Sequence, residues 1–340
     1  MSVEPNFPPT IYDVADLSGV SIATVSRVLN SPERVSEASR QKVMKAIDKL
    51  GFVPNAEARA RTMQNIGQIG VITPFFTSPS FTDRLRGVAA ALSNSKYELV
   101  VYTVDTMDRL NGYLGALPIK GNLDGLIVMS LPVDEEAALR LQANHLETVL
   151  LEYEHPSFSS ILVDDWAGGR LAAEHLIANG HQRCAYVYFG QHPEYSIHPE
   201  YQRLRGFREA LAENGRALSD DYIQYVPISR DGIAEKLRQL MALSEPPTAI
   251  FAPADDLAIR VMHELRKLGL NTPEDISVIG FDDIDIAEHV DLTTVDQSLL
   301  ESGQMAVEML LARLAEPGRP IQHMRLQVHL EVRGTTRKID

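Results

Sequence analysis

Ile22, Ala23, Ser26 and Arg27 are the residues of this 340-residue chain whose types and spacing first suggest chemistry. On an α-helix they fall on two adjacent stripes, because residues three or four apart share a face. Together they present a guanidinium, a hydroxyl and two apolar groups. That set suits the edges of base pairs: the Arg fork matches the two acceptors of guanine, and Ile or Ala fits against a thymine methyl.

The surrounding sequence, Thr10–Asn30 (TIYDVADLSGVSIATVSRVLN), supplies the elements that would hold that stripe outward. Thr10 is an N-cap with Asp13 near the helix start, and Val14 and Leu17 give the first helix an apolar edge. Ser18-Gly19 ends it, and Ser21 caps a second helix whose Val25, Val28 and Leu29 form a core-facing side. This is a helix-turn-helix plan, with the second helix destined for the major groove. Ser36 caps a third helix, Glu37–Leu50, with Val43, Ala46, Ile47 and Leu50 inward. Arg40, Lys42 and Lys45 lie off that face, where phosphate contact and a merely solvated surface are equally open.

Charge is distributed to match. The chain carries −14 overall, but residues 1–63 hold eight Lys/Arg and seven Asp/Glu, leaving −15 on the rest. The larger part should repel DNA, so the small N-terminal part is the expected contact. Cys184 is the single cysteine, so one chain cannot build a disulfide framework. MSVEPNFPPT lacks the basic and apolar regions of a signal peptide, and no apolar run is long enough to span a membrane. The expectation is a cytoplasmic protein that avoids membranes.

YDVADLSGVSIATVSRVLN, followed by Val35-Ser36 and by Gly51-Phe52-Val53-Pro54-Asn55, closely resembles the lactose-repressor (LacI/GalR) family of transcription regulators. The resemblance implies operator DNA as partner. It implies DNA contacts at Thr10, Tyr12, Ser21, Ile22, Ala23, Thr24, Ser26, Arg27, Asn30 and Ser36. Pro54–Arg61 is a short helical candidate, below the roughly 12–15 residues an isolated helix needs. In the resembled family it is the hinge helix, which folds against its dimer mate in the minor groove and would bring Asn55, Ala58 and Arg61 to the operator centre. The family usually has a leucine wedge where Arg61 stands. A guanidinium is a poor wedge but is drawn to a narrow, A·T-rich groove, so a less sharply kinked operator centre is expected.

From residue 66 the pattern becomes strand–helix alternation. Ile69–Thr73, Leu99–Thr103, Leu126–Met129, Val149–Leu151 and Ile161–Val163 form one series of strands. Ala185–Phe189, Ile223–Val226, Ala249–Ala252 and Val278–Phe281 form another. Two doubly wound halves with a ligand cleft at the carboxyl ends of the strands is the economical arrangement. VDDWAGGRLAAEHLIANGH, RLRGFREAL, ADDLAIRVMHELRKLGL, PEDISVIGFDD and LTTVDQ resemble the family's effector domain, which has the two-lobed fold of periplasmic sugar-binding proteins. The expected organisation is residues 1–52 for DNA binding, 53–64 for the hinge, 65–163 with 294–326 for the first lobe, and 164–293 with 327–340 for the second. No leucine heptad follows the final RGTTRKID, so a homodimer matching a two-half-site, pseudo-palindromic operator is expected rather than a tetramer.

By the same resemblance the effector contacts are Arg203, in the R-x-x-G-F motif, Asp282 after Gly280-Phe281, and Asp165, Asp255 and Gln297. Phe75, Phe76 and Phe81 around the first strand–helix loop, and Trp166 near the crossover, would offer flat faces to a sugar ring. Trp166 and Ala254 replace usually polar family residues and make the pocket less polar. Chemistry of other kinds is not signalled. G-x-S-x-G, a Walker loop, H-E-x-x-H and C-x-x-C are all missing from the sequence, and Asp282, Asp283 and Asp285 do not have calcium-loop spacing. Neither an enzyme nor a cofactor is expected. The reading is a repressor controlled by a small effector, most readily a carbohydrate. The competing class is a solute-binding protein without regulatory DNA binding, against which the first sixty or so residues argue.

Overall fold

The computed structural model describes residues 9–30, 35–50, 67–190, 193–227 and 230–339. Asn55, Ala58 and Arg61 of the expected hinge lie outside the described residues. The chain divides into two compact units, Met1–Gly67 and Gln68–Asp340.

In the first unit, α1 (Ile11–Ser18), α2 (Ile22–Asn30) and α3 (Glu37–Leu50) surround a core of Val14, Ala15, Val25, Val28, Val43 and Ala46. The Asp13 carboxylate accepts from the Thr10 amide and hydroxyl, each at 2.6 Å, which ties down the start of α1. Gly19 ends it in the left-handed region at φ +66°. Leu17 was expected on the apolar edge, but it is 44% exposed. The inward arc of α1 is centred on Val14 and Ala15 with Ile11 packed beside them, and Leu17 lies on its margin.

The second unit holds two six-stranded sheets. The first contains β1 (Gly67–Pro74), β2 (Tyr97–Val104), β3 (Gly125–Met129), β4 (Glu147–Leu151), β5 (Ser159–Val163) and β11 (His323–Leu326), in the order β11-β5-β4-β3-β1-β2. The second contains β6 (Cys184–Phe189), β7 (Ile223–Val226), β8 (Ala249–Phe251), β9 (Ser277–Asp282), β10 (Thr294–Asp296) and β12 (His329–Glu331), in the order β12-β10-β9-β8-β6-β7. Four β-branched or aliphatic residues of β1 and all of β3 are buried, as strands covered on both faces must be. Helices α4 (Pro79–Leu92), α5 (Met107–Lys120) and α6 (Glu135–Ala143) belong to the first lobe. The second has α7 (Asp165–Ala178), α8 (Pro199–Glu213), α9 (Arg230–Met241), α10 (Asp255–Lys267) and α11 (Asp285–His289). Helix α12 (Leu299–Ala315) follows β10 and returns to pack on the first sheet.

The second passage between lobes falls later than expected. Thr294 pairs with Gly280 and Val295 with Phe281, so residues 294–296 still belong to the second sheet and the chain leaves it at Gln297-Ser298. The boundary at 293 came from the family resemblance, and the three-residue strand β10 just beyond it carries only one apolar residue to mark it in the sequence.

Two helix pairs approach to backbone contact. A Cβ on Gly303 of α12 would stand 2.1 Å from the Arg84 carbonyl oxygen of α4. In the other lobe, a Cβ on Gly169 of α7 would stand 1.9 Å from the Arg203 carbonyl oxygen of α8. Each crossing therefore fixes the root of one arginine, and both arginines reach the space between the lobes.

Candidate functional site

Helix α2 keeps its apolar side in the core and its mixed stripe outside. Val25 and Val28 are buried, whereas Ala23 and Arg27 are exposed and Ile22 is 42% exposed. The Thr24 amide donates to Ser21 Oγ at 3.2 Å, capping the helix, and the two hydroxyls lie 2.9 Å apart. Ser26 and Thr24 are half-buried at the margin of the stripe, Tyr12 is exposed on α1, and Asn30 closes α2. Ser36 Oγ accepts from the Ser39 amide at 3.4 Å at the start of α3.

Between the two lobes lies a cavity of about 160 Å³. Six of its lining residues stand at or just beyond strand ends: Phe75 after β1, Ser130 after β3, Glu152 after β4, Pro253 beyond β8, Asp282 at the end of β9 and Gln297 after β10. That is the carboxyl edge where doubly wound folds bind ligands. Four of these residues have positive φ without being glycine: Phe75 at 44°, Ser130 at 54°, Glu152 at 63° and Asp282 at 125°. Such backbone costs energy and concentrates at ligand sites.

A continuous polar network runs under the cavity. Ser130 donates to Glu152, which is ion-paired with Arg84. Arg84 Nη2 donates to Gln297 Oε1 at 2.7 Å, and Gln297 Nε2 donates to Asp282. Arg203 Nη1 stands 3.8 Å from Asp282, its Nε donates to Asp165 at 2.8 Å, and Nη1 also donates to the Pro253 carbonyl at 2.6 Å. The Arg203 guanidinium lies 3.6 Å from the centre of the Phe281 ring, a cation–π contact. Arg84 is 2% exposed and Arg203 5%, so the network carries buried charges that are all partnered, as burial demands. Burial pushes the Asp282 carboxyl up to about 7, with Arg203 and Arg84 pulling the other way. Burial likewise raises Asp165 to about 6 against the pull of Arg203.

Of the expected effector residues, Phe81, Arg203, Asp282 and Gln297 line the cavity. Asp165 stands behind it and acts on Arg203. Three others are placed elsewhere. Phe76 is 48% exposed outside the cavity and its neighbour Phe75 lines it instead, because the left-handed turn at Phe75 directs one ring inward. Trp166 faces a separate groove with Gln202 and Arg205. Its Nε1 donates to Glu209 at 2.7 Å and the Arg170 guanidinium covers its ring. Asp255 is fully buried and braces the strand ends, accepting from the Ile284 amide at 3.0 Å and the Thr294 hydroxyl at 2.6 Å. Burial, then the nearby Asp282 charge, raises its pKa well above the usual carboxylate range. The sequence reading missed Arg84, Glu152, Ser130 and Tyr188. Arg84 left one signal: it sits between Phe81 and Val88 on the apolar stripe of α4, where an arginine needs a buried partner.

The helical unit matches the model of bacterial regulatory proteins of the lacI family over residues 10–55. The second unit matches the periplasmic binding protein-like domain over residues 173–336. The HTH-type transcriptional repressor PurR of Vibrio vulnificus is 33% identical over 337 residues, covering 97% of this chain and 99% of its own. The chain belongs to the LacI family. Among solved structures of this family, the Lac repressor dimer bound to operator and the anti-inducer ONPF is 28% identical with a TM-score of 0.72, covering 97% of this chain and all of its own. The transcriptional regulator CelR in complex with cellobiose is also 28% identical, with a TM-score of 0.68 and coverage of 96% and 99%. This LacI-family chain is thus a DNA-binding transcription regulator, and its relatives are regulators rather than enzymes. Among the described residues no helix is long and apolar enough to cross a membrane, and no cluster of His, Cys, Asp and Glu is arranged to hold a metal ion.

Proposed function

We propose that this regulator is a cytoplasmic, homodimeric repressor that reads a pseudo-palindromic operator with α2 and is controlled by an uncharged carbohydrate between its lobes. The division of labour is the one expected from sequence: the helical unit and hinge on DNA, the two lobes on the effector. One observation carries the effector class. The buried arginines of the cavity are already answered by carboxylates, Arg84 by Glu152 and Arg203 by Asp165 and Asp282. Glu200 adds a further carboxylate to the lining. An anionic effector would meet more negative than positive charge and find no uncommitted arginine. A neutral polyol instead finds alternating donors and acceptors on the floor, and flat faces at Phe75 and Phe81. The relative solved with cellobiose is consistent with that class.

The test is to select an operator from random duplexes, then titrate the bound protein with neutral sugars, sugar phosphates and uronates while following DNA release or retention by anisotropy. The response should come from neutral sugars. Arg203→Ala and Asp282→Ala should lose it and still bind the operator. A response confined to anionic sugars, or retained in both variants, contradicts the proposal.

A further inference from the structure

The cavity shares part of its lining with a second, outer chamber of about 570 Å³. Phe75, Phe81, Phe189 and Asp282 belong to both. Apolar surface predominates in both, but they carry different polar groups. The inner chamber has the buried arginines, Ser130, Glu152 and Gln297 on its floor. The outer one is walled by Pro79, Phe189, Pro193 and Ile284, with Asp256 and Arg260 as its polar edge. Sites for small molecules typically measure roughly 300–1,000 Å³. The inner chamber alone falls below that range and the outer one lies within it. A ligand confined to the inner chamber would leave the apolar outer walls wet, forgoing most of the available burial.

Phe75 stands at the junction. Its backbone is held at φ 44° and its ring packs edge-on to Phe81 at 5.8 Å and lies 6.2 Å from Tyr195. A phenylalanine does not adopt this conformation by default, and these two aromatic neighbours fix its ring between the chambers. At the far edge, Arg260 Nη2 and Asp256 Oδ2 are 3.5 Å apart, which sets donors beside an acceptor, both of which a sugar hydroxyl can answer. An aryl group would use the walls and leave this pair idle, whereas a sugar ring uses both.

We infer that the outer chamber is a second sugar subsite and that the effector is a glycan of at least two rings, its terminal ring in the inner chamber and the next ring between Phe75, Phe189 and the Asp256–Arg260 pair. This rests on the carbohydrate reading above.

Calorimetric titration of the full chain with neutral monosaccharides and the disaccharides built from them tests it. One disaccharide should bind at least about tenfold more tightly than its own terminal monosaccharide, equivalent to 1.4 kcal/mol. Arg260→Ala and, independently, Ser78→Trp, which fills the outer chamber, should cancel that advantage while monosaccharide affinity stays within about twofold. A monosaccharide that binds as tightly as its disaccharides overturns the second subsite and leaves the carbohydrate reading standing. Equal losses for both ligands in both variants also overturn the subsite. Failure of every sugar to bind overturns both.

Discussion

Arg84 and Gln297, 213 positions apart in the chain, share a 2.7 Å hydrogen bond beneath the cavity. Gln297 passes the link on to Asp282. A glutamine amide has an acceptor at one end and a donor at the other, so it can stand between a guanidinium and a carboxylate without a like-charge contact. It sits where the chain leaves the second sheet, so one side chain ties α4 of the first lobe to β9 of the second. Gln297→Leu should leave two buried polar groups short of a partner and lower stability by about 1–3 kcal/mol. The effector-induced change in operator affinity should shrink by a comparable factor. Thermal melts and operator titrations with and without effector check this, and an unchanged effector response in Gln297→Leu would remove the residue from the coupling path.

The crossing glycines give a sharper contrast. Gly169→Ala sets a methyl 1.9 Å from the Arg203 carbonyl oxygen, which the α7–α8 pair can relieve only by moving apart. Overpacking of this kind costs about 1–3 kcal/mol, and here it also displaces a cavity arginine, so effector affinity should fall with the melting temperature. Gly112→Ala is the control. It lies in α5 with nothing within 4 Å of its new methyl, and helix propensity alone should make it neutral or stabilising by about 0.5–1 kcal/mol. Equal melting temperatures for the two variants would show that the crossing tolerates a side chain.

Asp282 makes stability depend on pH in an unusual direction. Its folded-state pKa is raised to about 7 by burial, above the roughly 3.9 of an unfolded aspartate. The folded protein therefore holds the extra proton, and that stabilisation is present at about pH 4 and lost as pH rises through 7. His181 opposes it. Burial lowers this imidazole to about 4, so its contribution is lost as pH falls from about 6.5. Asp282→Asn isolates the first effect: its melting temperature should gain on the wild type as pH rises from 4.5 to about 7.5. Parallel curves would mean that Asp282 titrates as an ordinary carboxylate.

Arg27 is exposed on α2 beside Ala23 and Ile22. If it reads guanine, Arg27→Ala should cost about 1–3 kcal/mol of specific binding and leave salt-driven, non-specific binding nearly intact. Competition of selected operator against random duplex measures both. Equal losses would assign Arg27 to a phosphate.

What was legible in the sequence depended on whether a local signal existed. Gly19, Ser21 and the alternation of Val25 and Val28 with Arg27 and Ala23 fixed the orientation of α2 because caps and period act within a few residues. The strand series was legible from its apolar and β-branched runs, whereas β10 (TVD), β11 (HMRL) and β12 (HLE) are short and mostly polar and carry no such run. Site residues were harder because adjacent positions diverge. Phe75 and Phe76 have the same composition signal, and the left-handed backbone at Phe75 decides between them. Asp255 and Asp282 both follow strands, yet the Thr294 hydroxyl and Ile284 amide claim one while the other meets the cavity. Those partners are distant in sequence, as are those of Trp166, whose direction follows from how α7 meets α8.

The central claim is that a small effector between the lobes and operator DNA act on one equilibrium, and reciprocity tests it most directly. The effector dissociation constant should be measured with free protein and with protein saturated by operator, and the operator constant with and without saturating effector. Thermodynamic linkage requires the two ratios to be equal, and the account predicts a shared ratio of about 5–150, the usual range of such coupling. Effector binding that is indifferent to operator, with a ratio of one, would contradict it.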